Sequence, residues 1–276
     1  MVMVDILLIV LAPFIGGLLY GFERIVKARM QNRKGPPLLQ PFYDMAKLMQ
    51  KRIFIIHPLH AILGVLYCLS LWAVVGFLMV GGNLLYIIFL HLLSTLLIIL
   101  AGFSVKSVYS HMGSNRELLA LLAYEPIFIC IAAGFYLING SFDTQVIFNT
   151  PSQIGVLFLL FLAFLFTVPI KLKKLPFDAV HAHQEIVGGV DIEYSGIFYE
   201  FVYMARFLEY VFVFLLLFLF AGNSLWLAIL LAIVVFIGMN VVDNATARVN
   251  MPQMIKRVLS IALVLCIINL IGLAYV

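Results

Sequence analysis

The sequence is poor in charge and in cysteine. Only 11% of its 276 residues are Asp, Glu, Lys or Arg, whereas 64% are hydrophobic and the mean hydropathy is +1.14. This composition excludes a soluble globular protein. The three cysteines, Cys68, Cys130 and Cys266, stand singly in apolar runs without CxxC spacing, so we expect them to pack rather than to hold zinc or an iron–sulfur cluster. The sequence also lacks a Gly-rich phosphate loop and a nucleophile elbow.

The hydrophobic runs are long and continuous rather than alternating, which favours transmembrane helices over a β-barrel. Eight runs are predicted to span the membrane: about residues 4–22, 59–80, 84–103, 118–138, 154–170, 196–221, 225–242 and 258–276. The first run lacks a basic n-region and a cleavage site, so we interpret it as a span rather than a signal peptide. The predicted fold is an all-α, polytopic membrane helix bundle that forms a single integral membrane domain over residues 1–276. A short amphipathic helix, Asp44–Lys51, is predicted on the membrane surface.

Lysine and arginine are missing from every second loop. Sixteen of the 17 fall in the loops after spans one, three, five and seven, and the remaining one, Arg206, lies within span six. Because basic loops are retained in the cytoplasm, these four loops are predicted inside the cell and both termini outside the cytoplasm, across the cell membrane. This basic rim explains the net charge of +4, so no nucleic-acid partner is expected.

The most polar stretch is Lys171–Gly196, between the fifth and sixth spans, and we interpret it as the working centre of the chain. In an extended loop, His181, His183 and Glu185 would lie on one side. Histidine titrates near neutrality, which suits proton entry. The same HxHxE spacing could bind a metal, but that interpretation is weaker because the cluster stands alone.

Three glutamates lie within predicted spans, where each ionised carboxylate would cost about 2.5 to 3.5 kcal/mol if it faced lipid. Glu209 follows Arg206 by one turn, which favours a structural i, i+3 ion pair. Glu125 has no basic residue within a turn, so a proton-carrying role is more credible there. Glu200, near the cytoplasmic end of span six, is interpreted either as a relay member or as hydrogen-bonded to a neighbouring helix.

Four blocks carry a family resemblance: ERIVKARMQNRKGPPLLQPFYDMAKLMQK at Glu23–Lys51, YSHMGSNRELLALLAYEP at Tyr109–Pro126, LPFDAVHAHQEIVGG at Leu175–Gly189, and EYSG at Glu193–Gly196. With them the chain resembles the membrane subunit that joins the two arms of respiratory complex I. It is more similar still to the counterpart in energy-converting, membrane-bound nickel–iron hydrogenases, because GPPLLQP is contiguous here. That shortening argues against a dedicated quinone pocket.

The resemblance implies a coupling and anchoring subunit without a redox cofactor of its own. The expected partners are peripheral hydrogenase-like large and small subunits, an iron–sulfur subunit, antiporter-like membrane subunits and membrane lipid, with the iron–sulfur clusters and any nickel–iron centre in those partners. The alternatives are the membrane subunit of a related sulfur reductase, a purely structural anchor, and a stand-alone secondary transporter, which is disfavoured because no inverted repeat is visible.

Two sets of residues are candidates for these roles. The predicted proton-relay residues are Glu125, His181, His183, Glu185, Glu193, Glu200, Arg206 and Glu209. The predicted partner-docking residues are Arg29, Arg33, Lys34, Asp44, Lys47, Asp178 and Asp191. For Arg29, Arg33 and Lys34 the expected partner is either the adjacent peripheral subunit or anionic lipid head groups. The family pattern usually has an acidic residue where His181 stands, and complex I relatives typically have a glutamate where Arg206 stands. The proton route here is therefore expected to be either rearranged, with His181 in place of a carboxylate, or interrupted.

Overall fold

A computed structural model describes residues 2–275, with side chains from Leu7 onward. Eleven α-helices follow one another in this part of the chain, and a short 3-10 helix, Gly189–Glu193, lies between the eighth and the ninth. The helices are α1 (Val2–Met30), α2 (Gln40–Gln50), α3 (Pro58–Val80), α4 (Leu84–Phe103), α5 (Val108–Asn139), α6 (Thr144–Asn149), α7 (Phe158–Lys171), α8 (His183–Ile186), α9 (Gly196–Ala221), α10 (Leu225–Ala245) and α11 (Met251–Ala274).

Seven of these helices are long and apolar enough to cross a membrane, namely α1, α3, α4, α5, α9, α10 and α11. The remaining predicted span, the fifth, is shorter than expected, because turns occupy residues 154–157 and α7 begins only at Phe158. Its 14 residues would extend about 21 Å. The prediction of an all-α, polytopic membrane bundle is confirmed.

Several charged residues that were predicted in loops lie on helices. The first helix continues to Met30, so Arg24, Lys27 and Arg29 belong to its last two turns. Helix α5 likewise begins at Val108 and includes Arg116. The spanning helices alternate in direction, so α1, α4, α7 and α10 end where α3, α5, α9 and α11 begin. We call this the basic end, because the lysine-rich and arginine-rich segments meet there.

The amphipathic helix is present as α2, which starts at Gln40 rather than Asp44. Its buried residues are Pro41 and Leu48, and Phe42 packs against Phe207 of α9 with ring centroids 6.3 Å apart. The remaining face of α2 is largely exposed. This helix therefore closes the basic end over α1 and α9.

Helix α9 lies at the centre of the bundle, with fully buried rings such as Phe207, Phe212 and Phe220. It approaches α1 closely at Gly16, where a Cβ atom would come within 2.1 Å of the carbonyl oxygen of Phe207. Small residues allow such close approach of membrane helices. Gly16 thus fixes how closely α1 packs on the helix that carries Glu209.

The polar segment between α7 and α9 folds back onto the basic end instead of extending from it. Asp243 of α10 accepts a hydrogen bond from the backbone amide of Leu175 at 2.9 Å. Arg116 of α5 donates to the carbonyl oxygen of Ala179 at 2.8 Å. The bundle therefore holds this segment at two points, which places its titratable side chains against the ends of the spanning helices.

Candidate functional site

The centre of the site is a buried ion pair between Lys171 and Glu209. Lys171 is the last residue of α7, and its Nζ atom lies 2.8 Å from Oε1 of Glu209, with side chains only 5% and 7% exposed. The ammonium group also donates to the Thr95 hydroxyl at 3.2 Å and to the Tyr124 hydroxyl at 3.3 Å. Tyr67 donates to the same carboxylate oxygen of Glu209 at 3.4 Å. Five helices thus converge on one charge pair.

The predicted pairing of Arg206 with Glu209 is wrong. The Arg206 guanidinium instead binds Asp191 of the 3-10 helix. Positions i and i+3 can interact on an isolated helix, but the folded segment before α9 presents a carboxylate to Arg206, and α7 presents a lysine to Glu209. Burial of Asp191 by itself would raise its pKa, but Arg206, together with His181 and Lys173, outweighs that effect and lowers the pKa of Asp191 overall.

His91 of α4 lies between two of the buried carboxylates. Its Nε2 atom is 3.6 Å from Oε2 of Glu209, and its Nδ1 atom is 3.8 Å from Oε2 of Glu125. The ring is fully buried and stacks on Phe212 with centroids 4.4 Å apart. Within the described part of the chain, both ring nitrogens of His91 and both carboxylate oxygens of Glu125 lack a hydrogen-bond partner. Such buried polar atoms cost about 1–3 kcal/mol each, which is typical of a site kept for function rather than stability.

A cavity of ≈190 Å³ connects this cluster to the basic end. Lys171 and Glu209 line its inner part, whereas His181, His183 and Asp178 line it from the polar segment. Arg206 contributes to the same wall. Titratable groups of the polar segment and of the spanning helices therefore share one polar space.

The lysines of the KLKK sequence point inward. Lys171 pairs with Glu209 of α9, Lys173 with Glu117 of α5 at 3.1 Å, and Lys174 with Glu23 of α1. Tyr210 of α9 also donates to Glu23. Each lysine thus joins a different helix to the start of the polar segment, although the sequence predicts all of them in a cytoplasmic loop.

The three residues of the HxHxE pattern do not share one side, so that prediction is wrong. His183 begins α8, which turns Glu185 away from the cavity that both histidines line. Glu185 pairs instead with Arg116 at 2.7 Å and approaches Arg248 at 3.8 Å. Among the described residues, no three His, Cys, Asp or Glu side chains converge closely enough to hold a metal ion.

His181 is held as a neutral side chain. Its burial lowers its pKa well below the ordinary value, and the nearby Lys173 cation lowers it further, while Asp191 acts in the opposite direction. The Nε2 atom of His181 is 3.6 Å from Asp191. The histidine therefore stands next to the Arg206–Asp191 pair at the wall of the cavity.

The other predicted residues are dispersed over the basic end. Glu193 lines a separate small pocket with His60, and Glu200 lies on α9 outside the cavity lining. Asp44 pairs with Arg24 at 3.0 Å. The remaining cations of the docking set are exposed: Arg29, Arg33, Lys34 and Lys47.

Asp178, from the docking set, is instead engaged within the chain. Arg248 binds it at 2.9 Å. Burial raises the pKa of Asp178, and the hydrogen bond and charge of Arg248 partly oppose that rise. This carboxylate belongs to the cavity wall rather than to a free surface.

The sequence predictions missed His91, Tyr67 and the inward direction of Lys171. His91 had a usable signal, because an imidazole in the middle of a long apolar run is as unusual as an intramembrane glutamate. Tyr67 had none, since an isolated tyrosine in a span is ordinary.

Known proteins share this sequence pattern. The chain matches the family described as NADH dehydrogenase over residues 2–274. A component of the NADH-quinone oxidoreductase of Brevibacillus brevis (strain 47 / JCM 6285 / NBRC 100599) is 31% identical over 250 residues, which cover 81% of this chain and 73% of that protein. Hydrogenase-4 component C of Escherichia coli (strain K12) is 29% identical over 212 residues, which cover 69% of this chain and 64% of that protein.

A solved structure titled as the membrane-bound sulfane sulfur reductase, an archaeal respiratory membrane complex, contains a chain of the same fold. Its TM-score is 0.89 over 98% of both chains, with 24% sequence identity. That likeness establishes the fold, and the family match covers nearly every residue. The resemblance seen in the four sequence blocks is confirmed: the chain belongs to the NADH dehydrogenase family and is a multi-spanning membrane protein.

Proposed function

We propose that this chain is the coupling and anchoring membrane subunit of a hydrogenase-like respiratory complex. Its basic end would dock the redox subunits, and its buried charges would link their electron transfer to proton or ion translocation. The relatives named above are, by their names, components of a quinone oxidoreductase and of a hydrogenase. Those names support a place in a multisubunit oxidoreductase, and the arrangement of charges supports the coupling role.

One observation carries this proposal: titratable groups follow one another from the basic end to the interior. The cavity brings His181 and His183 to the Lys171–Glu209 pair, and His91 follows at 3.6 Å from Glu209 and 3.8 Å from Glu125. An imidazole can accept a proton on one nitrogen and release one from the other. We infer that His91 passes a proton between the two glutamates after a small side-chain movement.

The same series of titratable side chains can transmit a change of charge. Two unit charges about 4 Å apart interact by about 4 kcal/mol at an effective dielectric constant of 20. Protonation of Glu209 would free the Lys171 ammonium, which already has the Thr95 and Tyr124 hydroxyls as second partners. A charge introduced at the cavity by a docked redox subunit would accordingly alter the proton affinity of His91 and Glu125.

The docking role is supported by the composition of the basic end. Exposed cations there include Lys34 and Lys47. The partners expected at that end are hydrogenase-like large and small subunits and an iron–sulfur subunit, with antiporter-like subunits beside the bundle in the membrane. Redox cofactors would then belong to the partners.

The test is a Glu125→Gln substitution in the assembled complex, with ion uptake into proteoliposomes measured per electron pair transferred. We expect subunit composition and uncoupled electron transfer to be retained, while ion uptake falls at least tenfold because the amide cannot carry a proton. Glu200→Gln is the matched control, since Glu200 is a buried glutamate of α9 that neither lines the cavity nor pairs with His91, and it should leave ion uptake unchanged. Unchanged ion uptake in Glu125→Gln would refute the relay and leave the chain as a structural anchor.

A further inference from the structure

A long apolar groove runs along the lipid-facing side of α1, between α9 and α10. Its volume is ≈810 Å³, within the range of about 300–1,000 Å³ that is typical of small-ligand sites. Its walls are aliphatic and aromatic, and include Phe22 of α1, Phe214 of α9 and Phe236 of α10. Phe22 and Phe236 stack on each other in this wall, with centroids 5.4 Å apart, and so join α1 to α10. The groove is separate from the polar cavity, with which it shares no lining residue.

The dimensions of the groove indicate which kind of molecule it can bind. On α1 the lining extends from Ile15 to Met30, which corresponds to about 22 Å of helix. With ≈810 Å³ spread over that length, the groove is elongated, and its walls are apolar throughout. This shape suits an extended hydrocarbon chain, and a peptide of another subunit at the same place is an outcome that the test below distinguishes.

Polar side chains surround the end of the groove at Met30, which lies at the basic end. The Asn244 amide of α10 contacts the Met30 sulfur at 3.5 Å and accepts a hydrogen bond from Gln31 at 2.7 Å. Arg33 donates to Gln31 and is itself exposed. Arg29 precedes Met30 and lies two turns beyond Phe22, on the same stripe of α1. The Met30 end of the groove is thus bordered by the Asn244 and Gln31 amides, with the exposed Arg33 bonded to Gln31 and Arg29 next to Met30 along α1.

We propose that this groove binds one anionic glycerophospholipid. An acyl chain lies along α1 between α9 and α10, and the phosphate contacts Arg33, with Arg29 as the second cation. Lipid tails gain no hydrophobic energy from moving between bulk lipid and an apolar groove, so retention depends on packing and on the headgroup. The guanidinium groups supply the headgroup preference, because charge-assisted bonds to phosphate are strong and often bidentate. This lipid would stabilise the α1–α10 contact independently of any proton relay.

The acyl-chain contact is tested by photolabelling of the full chain, purified with the subunits that remain bound to it. Vesicles of phosphatidylcholine are supplemented with a phosphatidylglycerol whose acyl chain carries a diazirine, and labelled peptides are mapped by mass spectrometry. We expect label on α1 between Ile15 and Met30 and on the facing part of α10. Ala232→Phe places a ring in the groove and should lower that label at least fivefold. Val234→Phe adds the same ring one position outside the lining and should leave the label unchanged.

The headgroup contact is tested separately, so the proposal can be tested even if the Ala232→Phe variant misfolds. Native mass spectrometry compares retention of phosphatidylglycerol with that of phosphatidylcholine. Arg33→Gln should reduce the preference for phosphatidylglycerol about fivefold, the factor for roughly 1 kcal/mol per basic residue at an anionic surface. Arg257→Gln removes an exposed cation of the same end on α11 and should have no effect.

Three results would overturn the proposal. One is label spread evenly over the lipid-facing helices. Another is the same retention of both lipids by the unmodified chain. The third is cross-linking of the groove to a peptide of another subunit, which would assign it to protein docking.

Discussion

Replacement of Lys171 by Met removes the cation from the buried pair while keeping an unbranched apolar side chain. In the native structure Lys171 lies 2.8 Å from Glu209 and is only 5% exposed. The variant leaves the Glu209 carboxylate with a 3.4 Å contact to the Tyr67 hydroxyl and with His91 at 3.6 Å. Neither neighbour carries a permanent positive charge.

The expected loss follows from the burial of Glu209. Removal of one partner of a buried ion pair typically destabilises a protein by about 3–5 kcal/mol. Glu209 can limit this loss by taking up a proton, which costs a carboxyl group about 3.7 kcal/mol at pH 7. We therefore expect Lys171→Met to lower the free energy of unfolding by about 3–4 kcal/mol, and the midpoint temperature by roughly 6–16 °C.

The assay is thermal unfolding in detergent micelles at pH 7 of Lys171→Met, Glu209→Gln and the double variant. The double variant has no unpaired buried charge, so it should regain most of the stability lost in Lys171→Met. Lys256→Met is the control, because Lys256 is an exposed cation near the start of α11 and should shift the midpoint little. A Lys171→Met variant as stable as the native chain, or a double variant no more stable than Lys171→Met, would contradict the assignment of this pair.

Two further measurements test the packing and the polar segment. Gly16→Ala should lower the free energy of unfolding by about 1–3 kcal/mol, because its Cβ would meet the Phe207 carbonyl oxygen at 2.1 Å. The control Gly238→Ala meets nothing within 4 Å and should be neutral or stabilising by up to about 1 kcal/mol. Equal unfolding midpoints for the two variants would contradict the close approach of α1 and α9. The lowered pKa of His181, caused first by burial and then by Lys173, makes the folded chain bind fewer protons than the unfolded chain as the pH falls below about 6.5. Stability should therefore decline there by up to about 1.4 kcal/mol per pH unit, and His181→Gln should make that decline shallower in melts between pH 6.5 and pH 5.5, whereas parallel curves would contradict a buried, neutral histidine.

The spans could be predicted because each one is encoded locally. About 20 apolar residues cross the hydrocarbon core as a helix whatever their neighbours are, since the backbone must satisfy its own hydrogen bonds there. The runs at 59–80 and 84–103 differ little from α3 and α4. The exceptions are at the basic end. There α1 continues eight residues beyond the predicted limit, and its Lys27 forms an ion pair with Asp243 of α10. A charged helical extension resembles a loop in composition, and only the partner on another helix shows otherwise.

Predictions of charge pairing failed for the same reason. Arg206 and Glu209 are close in sequence, but their partners, Asp191 and Lys171, come from other segments. His91 gained its place between Glu125 and Glu209 from the packing of α4 against α5 and α9. No local pattern contains that information, because each contact joins two different segments of the chain.

The sequence by itself determined that this protein is a helical membrane bundle, that its cations gather at one end of that bundle, and to which family it belongs. Hydropathy and short motifs are properties of contiguous residues, so they survive without a structure. The tertiary structure decided which of the buried charges meet: it turned Lys171 inward to Glu209, set His91 between two carboxylates, and separated Glu185 from His181. In a low-dielectric interior each charge must find a partner or lose its charge, and the packing of the helices selects those partners.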